Sequence, residues 1–243
     1  MSEETNRITE RIRNADKLVV FSGAGLSAES GIPTYRGVGG LWSKYDPSKY
    51  ADIQYFLQDP SYYWRFFRDE RYPIIRAARP NPAHFALVEM EKRGQLIQVI
   101  TQNIDGLHLE AGQKKVCELH GNTRRIKCME CDRSYHMDRV FESLNESLPP
   151  HCQCGGLLKP DVVLFGEPLP QKALDTAWQS ARECDVFLVV GSSLVVNPAA
   201  QIPLVAKQSG ADLLIINIDS TPLDDLANLV FRGSASEVLS VFG

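Results

Sequence analysis

Thr101-Gln102-Asn103-Ile104-Asp105-Gly106-Leu107-His108 sets two amides and a carboxylate within four residues, and His120-Gly121 follows a short distance on. Amides and a carboxylate suit hydrogen bonding to a polar ligand. Imidazole suits proton transfer near neutral pH. The apolar run Leu96 to Ile100 directly before them reads as a buried strand, and the end of such a strand is where α/β proteins place their chemistry. Taken alone, the stretch is also what a polar turn with a surface histidine looks like.

A second chemical signal lies upstream. The short apolar run Leu18 to Phe21 enters Ser22-Gly23-Ala24-Gly25-Leu26-Ser27-Ala28, a strand followed by Gly-x-Gly-x-x-Ala. Gly23 permits a tight turn, Gly25 lets the main chain approach a pyrophosphate, and the small Ala28 allows close packing of the next helix. Glycine-rich turns after strands are common, so the match is weak by itself. No acidic residue ends a second strand about 20 residues later, as a dinucleotide dehydrogenase requires. Instead the chain runs Gly31-Ile32-Pro33-Thr34-Tyr35-Arg36-Gly37-Val38-Gly39-Gly40-Leu41-Trp42, which reads as a mobile loop carrying an arginine over a ligand.

The third signal is metal. Cys128-x-x-Cys131 is followed after 20 intervening residues by Cys152-x-Cys154-Gly155-Gly156. Two close pairs of soft thiolates suit a structural, tetrahedral zinc ion. His136 and His151 are alternative ligands nearby. Two disulfides are the other reading, disfavoured because Met1-Ser2-Glu3-Glu4-Thr5 does not resemble a secretion signal. Cys117 and Cys184 read as buried, inert thiols.

The elements that must position these groups follow from periodicity. The chain has 243 residues, 44% hydrophobic and 23% charged, enough for one large domain with an insertion or for two unequal domains. A net charge of −4 supplies no general basic face, which argues against direct nucleic-acid binding; Lys114, Lys115, Arg124, Arg125 and Lys127 read as a solvated local cluster. No apolar run reaches the roughly 18 residues that span a bilayer. Zinc-type cysteine spacing fits a reducing, cytoplasmic compartment.

Helices are expected over 5–16, from 26 to the Gly31-Ile32-Pro33 stop, over 82–93, 105–112, 137–145, 174–183 and 199–209, and at the C-terminus. Strands are expected over 18–21, 96–101, 116–119, 186–190, 213–218 and from Phe231. The aromatic stretch from Trp42 to Arg79 reads as short helices forming a cap. Repeated βα units imply a Rossmann-like parallel sheet with helices on both faces. The expected division is a Rossmann-like domain from 1–36, 80–121 and 159–243, a cofactor loop and helical cap over 37–79, and a zinc-ribbon-like insertion over 122–158. The polar loops 23–27, 101–105, 191–193 and 217–219 would then converge on one carboxyl edge of the sheet, where such folds bind ligands.

With these pieces in place the chain resembles the sirtuins, NAD-dependent protein lysine deacylases, from about residue 8 to residue 242. The resemblance rests on Gly23 to Ser27, Gly31 to Arg36, Thr101 to Asp105, His120-Gly121, the cysteine pairs, Pro160 to Glu167, Gly191-Ser192-Ser193 and Asn217. It implies a bare catalytic core of bacterial or archaeal style. NAD would be the co-substrate, one zinc ion would be structural, and acyl-lysine proteins would be the partners. The nicotinamide–ribose bond would be cleaved, the acyl oxygen would attack the anomeric carbon, and O-acyl-ADP-ribose would form.

The resemblance also implies roles. His120 would be the general base. Asn103 and Asp105 would hold the nicotinamide ribose and carboxamide, with Gln102 and Ile104 beside them. Gly23, Ala24, Gly25 and Ser27 would face the pyrophosphate, and Arg36 would contact phosphate or order its loop. Gly191, Ser192, Ser193, Asn217, Ile218, Asp219 and Ala235 would surround the rest of the cofactor. A substrate strand would add between Gly166-Glu167 and Val195-Val196-Asn197, with the acyl-lysine passing Ile104, Val163 and Phe165.

One departure bears on specificity. Desuccinylases of this family read a carboxylate with a tyrosine and an arginine three residues on, and those positions here are Phe67 and Glu70. Tyr62 and Arg65 have the same spacing but stand five residues too early. Neutral acyl groups are therefore expected. The alternatives are protein mono-ADP-ribosyl transfer from the same pocket, and an NAD-sensing zinc-ribbon interaction module. An intact His120 and Asn103 favour deacylation over both, since binding alone needs no imidazole.

Overall fold

The computed structural model describes residues 3–37 and 39–243. Val38, within the expected mobile loop, and Met1 and Ser2 lie outside the described residues.

Six strands form the main sheet: β1 (Leu18–Ser22), β2 (Leu96–Thr101), β3 (Val116–Glu118) and, after an excursion, β7 (Val186–Val190), β8 (Asp212–Asn217) and β9 (Leu229–Arg232). The excursion supplies β4 (Gly121–Cys128), β5 (Ser134–His136) and β6 (Leu158–Val162). The large sheet runs β3-β2-β1-β7-β8-β9 with every pair parallel. In chain order this is third, second, first, fourth, fifth, sixth, the Rossmann arrangement, and its direction reverses between β1 and β7.

Alternation explains why both faces are covered. Leu18 and Val20 of β1, Val186, Leu188 and Val190 of β7, and Leu214 and Ile216 of β8 join one core, with Ile8, Ile12, Leu87 and Met90 from the helices Glu3–Arg13 and Pro82–Lys92. Val19, Phe21, Phe187, Val189, Leu213 and Ile215 point the other way, onto the helices Gln171–Glu183 and Ile202–Gln208. Strands buried on both sides must be apolar at every position, which is why these runs were readable as strands.

Several expected elements differ at their ends. The segment after β1 is a 3-10 helix, Ala24–Ser30, closed by Gly31 at φ 84°. The expected helix 105–112 is one turn, Leu107–Glu110. The expected helix 199–209 divides between Gln201 and Ile202 into a 3-10 turn, Ala199–Gln201, and the helix Ile202–Gln208, with Pro203 in that helix's first turn. The last strand begins at Leu229 and ends before Ala235, which opens the final helix.

The smaller lobe departs more from the expected division. β6 pairs with β4 in a three-stranded antiparallel sheet, β5-β4-β6, so residues 158–162 lie in the small sheet rather than the Rossmann sheet. The helical cap and the cysteine module also share one core. Ile53, Phe56, Trp64, Phe67 and Tyr72 of the cap pack with Ile126, Met137, Val140 and Leu158. Trp64 is fully buried and its indole N–H donates to Leu158 O at 3.0 Å. Neither segment alone carries enough apolar surface to close, and together they do. Losing the Trp64 ring would cost about 3–5 kcal/mol. No helix among the described residues is long and apolar enough to cross a membrane.

Candidate active site

At the reversal between β1 and β7 the two main chains nearly touch. Gly25 N donates to Gly191 O at 2.8 Å, and Gly23 N donates to Val190 O at 2.9 Å. A Cβ on Gly25 would stand 2.6 Å from Gly191 Cα, so only glycine fits. This junction floors a cleft of about 790 Å³ between the two lobes, a size suited to a bound small molecule.

The four expected strand-end loops meet there. Gly23, Ala24 and Gly25, then Gln102, Asn103 and Ile104, then Gly191, Ser192 and Ser193, then Asn217, Ile218 and Asp219 all line the cleft, with Arg36 and Ala235. Of the expected substrate residues, Val163, Phe165, Gly166, Glu167, Val196 and Asn197 line it, while Val195 is half exposed outside it. Neither Gly166 nor Val195 has a main-chain hydrogen bond among the described residues.

His120 also lines the cleft. It follows β3, and Gly121 behind it runs so close to β6 that a Cβ would lie 2.0 Å from Asp161 O. His120 Nδ1 lies 3.0 Å from Gln102 O, a carbonyl that only accepts, so the proton sits on Nδ1 and Nε2 keeps a free lone pair. Burial holds this imidazole below its ordinary pKa, partly offset by the hydrogen bond to Gln102 O. It is therefore neutral and basic near pH 7, the state a general base needs.

Asn103 is fixed by Nδ2 donating to Gly23 O at 3.0 Å and Ser27 Oγ at 3.2 Å. Gln102 Nε2 donates to Ser192 Oγ at 2.7 Å and ties the β2 loop to the β7 loop. Two expected cofactor contacts stand differently. Ser27 is fully buried and does not face the cleft, because the 3-10 turn points its hydroxyl inward to Asp105 Oδ2 at 2.8 Å. Asp105 is also behind the lining, and its other oxygen accepts from Leu107 N at 2.8 Å. Burial raises the Asp105 carboxyl, against the lowering effect of Leu107 N–H and Ser27. Asp105, Ser27 and Asn103 thus form a buried chain ending at the cleft.

The cap adds lining residues that sequence reasoning did not single out: Tyr63, Phe66 and Arg71. Arg71 is 5% exposed, donates to Tyr35 Oη at 2.8 Å, and stacks over that ring at 4.8 Å. Its Nη1 has no partner among the described residues. Its position one turn beyond Phe67 was the only available signal. Phe67 itself lines the cleft, whereas Glu70 is exposed and outside it. In the expected basic cluster Lys114 and Lys115 are exposed, while Arg124 pairs with Glu110, Arg125 with Glu118 and Asp161, and Lys127 with Asp161.

Away from the cleft, Cys128, Cys131, Cys152 and Cys154 bring their sulfurs within 4.8 Å of one another. The pairs 128–154, 131–152 and 131–154 are 3.5, 3.7 and 3.4 Å apart. A zinc ion at its usual Zn–S distance needs sulfurs about 3.8 Å apart, so the set fits zinc without rearrangement and is not disulfide bonded. The Cys152 thiol is drawn down to about 6, first by the Cys154 main chain and then by the Tyr135 hydroxyl. His136 instead caps the helix Met137–Ser143, and His151 stands outside the cluster. Cys117 and Cys184 are buried, with thiols pushed up to about 11 and 12 by that burial.

These features agree with comparisons to known proteins. The chain is 46% identical over 241 residues to NAD-dependent protein deacylase 2 of Archaeoglobus fulgidus, covering 98% of this chain and 94% of that one. A Sir2 structure with a p53 peptide and NAD+ superposes with a TM-score of 0.88 at 38% identity, covering 98% of this chain and 95% of that one. A Sir2 protein bound to a propionylated peptide gives 0.88 at 37% identity, covering 96% and 94%. The sequence pattern of the Sir2 family matches residues 23–198, a span holding the glycine junction, the Asn103 loop, His120 and all four clustered cysteines, and the chain belongs to that family.

Proposed function

We propose that this chain is an NAD-dependent protein lysine deacylase that releases nicotinamide and transfers the acyl group to ADP-ribose. The observation that carries the reading is a half-buried imidazole with Nε2 free, in a cleft that Asn103 also lines and a glycine junction floors. The Gly23–Gly25 turn, with no side chain at either glycine, lets a pyrophosphate approach the main chain closely. Asn103 and Gln102 orient the nicotinamide ribose, and Asp105 acts behind them through Ser27. Ser192, Ser193, Asn217, Ile218, Asp219 and Ala235 take the adenosine half, and Arg36 the phosphates.

The acyl oxygen attacks the anomeric carbon as the nicotinamide bond breaks. His120 Nε2 would then take a proton from the ribose hydroxyl chain, promoting attack on the bound acyl carbon, and addition of water would release the lysine amine and leave the acyl group on the ribose. An acyl-lysine strand adds at Gly166-Glu167 and Val195 to Asn197, where the unpaired main chain of Gly166 and Val195 offers strand addition with little sequence preference. Phe67 in the cleft wall offers no hydroxyl to a carboxylate, and the guanidinium that does line the cleft, Arg71, is engaged with Tyr35, which supports neutral acyl groups. A zinc ion held by Cys128, Cys131, Cys152 and Cys154 would be structural, tying the end of β4 and the loop after it to the loop before β6, and none of the four cysteines lines the cleft. A cytoplasmic location is part of this reading.

The relatives' names and the occupied Sir2 complexes support deacylation over ADP-ribosyl transfer. The test is the fate of NAD labelled in the adenine ring. Label recovered in O-acyl-ADP-ribose supports the reading, and label retained on protein refutes it.

A further inference from the structure

The Gln102–Asn103 peptide group is held at both ends. Its carbonyl accepts from His120 Nδ1 at 3.0 Å, and its N–H donates to Thr101 Oγ1 at 3.0 Å. Main-chain pairing with β1 stops one residue earlier, where Gln102 N donates to Ser22 O at 2.9 Å. The next N–H has no strand to pair with, and a side-chain hydroxyl takes the place of one.

That hydroxyl is itself fixed. Ser22 Oγ donates to Thr101 Oγ1 at 2.8 Å and lies 2.9 Å from His108 Nε2. Ser22 Oγ thus links Thr101 to His108 in one buried hydrogen-bonded chain. Ser22, Thr101 and His108 are 0, 2 and 3% exposed, and none of them lines the cleft. No water competes for these bonds, so an acceptor removed here strands a buried amide. A peptide group is planar, so freeing its N–H also frees its carbonyl to turn.

We infer that Thr101, backed by Ser22 and His108, is a positioning residue for His120: it locks the Gln102–Asn103 peptide plane and so decides which ring nitrogen of His120 is free to act. The inference rests on the deacylase reading only for its effect on rate; the tautomer of His120 does not depend on that reading.

The test is 15N NMR of the imidazole nitrogens in the parent and in Thr101→Val, Thr101→Ser and Ser22→Ala, with deacetylation kinetics alongside. The parent and Thr101→Ser hold the His120 proton on Nδ1. Thr101→Val, of nearly the same shape without the acceptor, mixes the two tautomers. In kinetics, kcat falls about tenfold to a hundredfold in Thr101→Val and returns to within about threefold in Thr101→Ser. The Thr101→Val loss falls on kcat and leaves NAD affinity within about threefold, as expected for a residue acting through His120. An unchanged His120 tautomer in Thr101→Val overturns the inference, as does a Thr101→Ser loss equal to that of Thr101→Val. Should Thr101→Val fail to fold, Ser22→Ala decides, and an unaltered tautomer there overturns it. A tautomer shift in a protein that deacylates nothing, parent included, leaves the inference standing and removes the deacylase reading instead.

Discussion

Replacing Gly25 by alanine should separate the two loops that form the cofactor floor. The new Cβ would lie 2.6 Å from Gly191 Cα, and ordinary contact begins near 3.4 Å, so one main chain must retreat by about 0.8 Å. Gly191 cannot retreat freely. It sits at φ 63°, and a Cβ there would already be 2.4 Å from Leu26 N. Forced overpacking of this kind costs about 1–3 kcal/mol. In a domain of this size that lowers the melting midpoint by about 2–12 °C. The functional loss should be larger, because nearly an ångström of misplacement beside the reacting centre costs about a hundredfold in rate. Gly31→Ala is the control: its φ of 84° strains an alanine, but nothing lies within 4 Å of the new Cβ. It should lose about 1–2 kcal/mol of stability and keep its rate. The assay is calorimetric melting together with nicotinamide release from NAD and an acetyl-lysine peptide. Gly25→Ala turning over within threefold of the parent refutes the reasoning, and so does an equal loss of rate in both variants.

Chelation of zinc should unfold the smaller lobe first, since structural zinc sites contribute about 10 kcal/mol or more; loss of far-UV signal from the β4–β6 sheet without loss of the large sheet is expected, and an unaltered spectrum contradicts the assignment. Acid should destabilise the protein early. Burial holds His84 down to about 4 and His108 to about 3, so below the unfolded value near 6.5 the unfolded chain binds more protons, and stability falls with pH. Between pH 7 and pH 5 each imidazole removes about 2 kcal/mol, read as a falling denaturant midpoint; a flat profile rules this out. The lowered pKa of His120 also places the acid limb of kcat/KM below pH 6.5, and a limb above 7 would contradict it. Phe67→Tyr, which puts a hydroxyl in the cleft wall that Arg71 also lines, should raise desuccinylation of a peptide, whereas Glu70→Arg, exposed and outside the cleft, should add nothing; no gain from Phe67→Tyr would sink the acyl-specificity reading.

Much of this was legible because physics leaves few alternatives. A strand buried on both faces must be apolar throughout, so β1, β2, β7 and β8 stood out with ends right to within a residue or so. Gly23 and Gly25 were legible as a tight turn and a close main-chain approach to a ligand, but their collision course with Gly191 was not. Four thiols in two pairs have few other uses. What was hidden depended on packing between distant segments. Nothing in the order of residues says that Trp64 reaches Leu158, or that β6 belongs with β4 rather than with the large sheet. The inward turn of Ser27 follows from a 3-10 helix where an α-helix was expected, and it moves Asp105 from the lining to a place behind it. Arg71 was invisible because a buried guanidinium over Tyr35 reads, in sequence, as one more charge on an exposed helix.

The most direct test of the central claim is product analysis after incubation with NAD and an acetyl-lysine peptide, run beside His120→Tyr. The account predicts nicotinamide, deacetylated peptide and O-acetyl-ADP-ribose in equal amounts from the parent. It predicts none of the last two from the variant, with NAD still bound. Nicotinamide release without deacetylated peptide, or a variant that deacetylates at the parent rate, would contradict it.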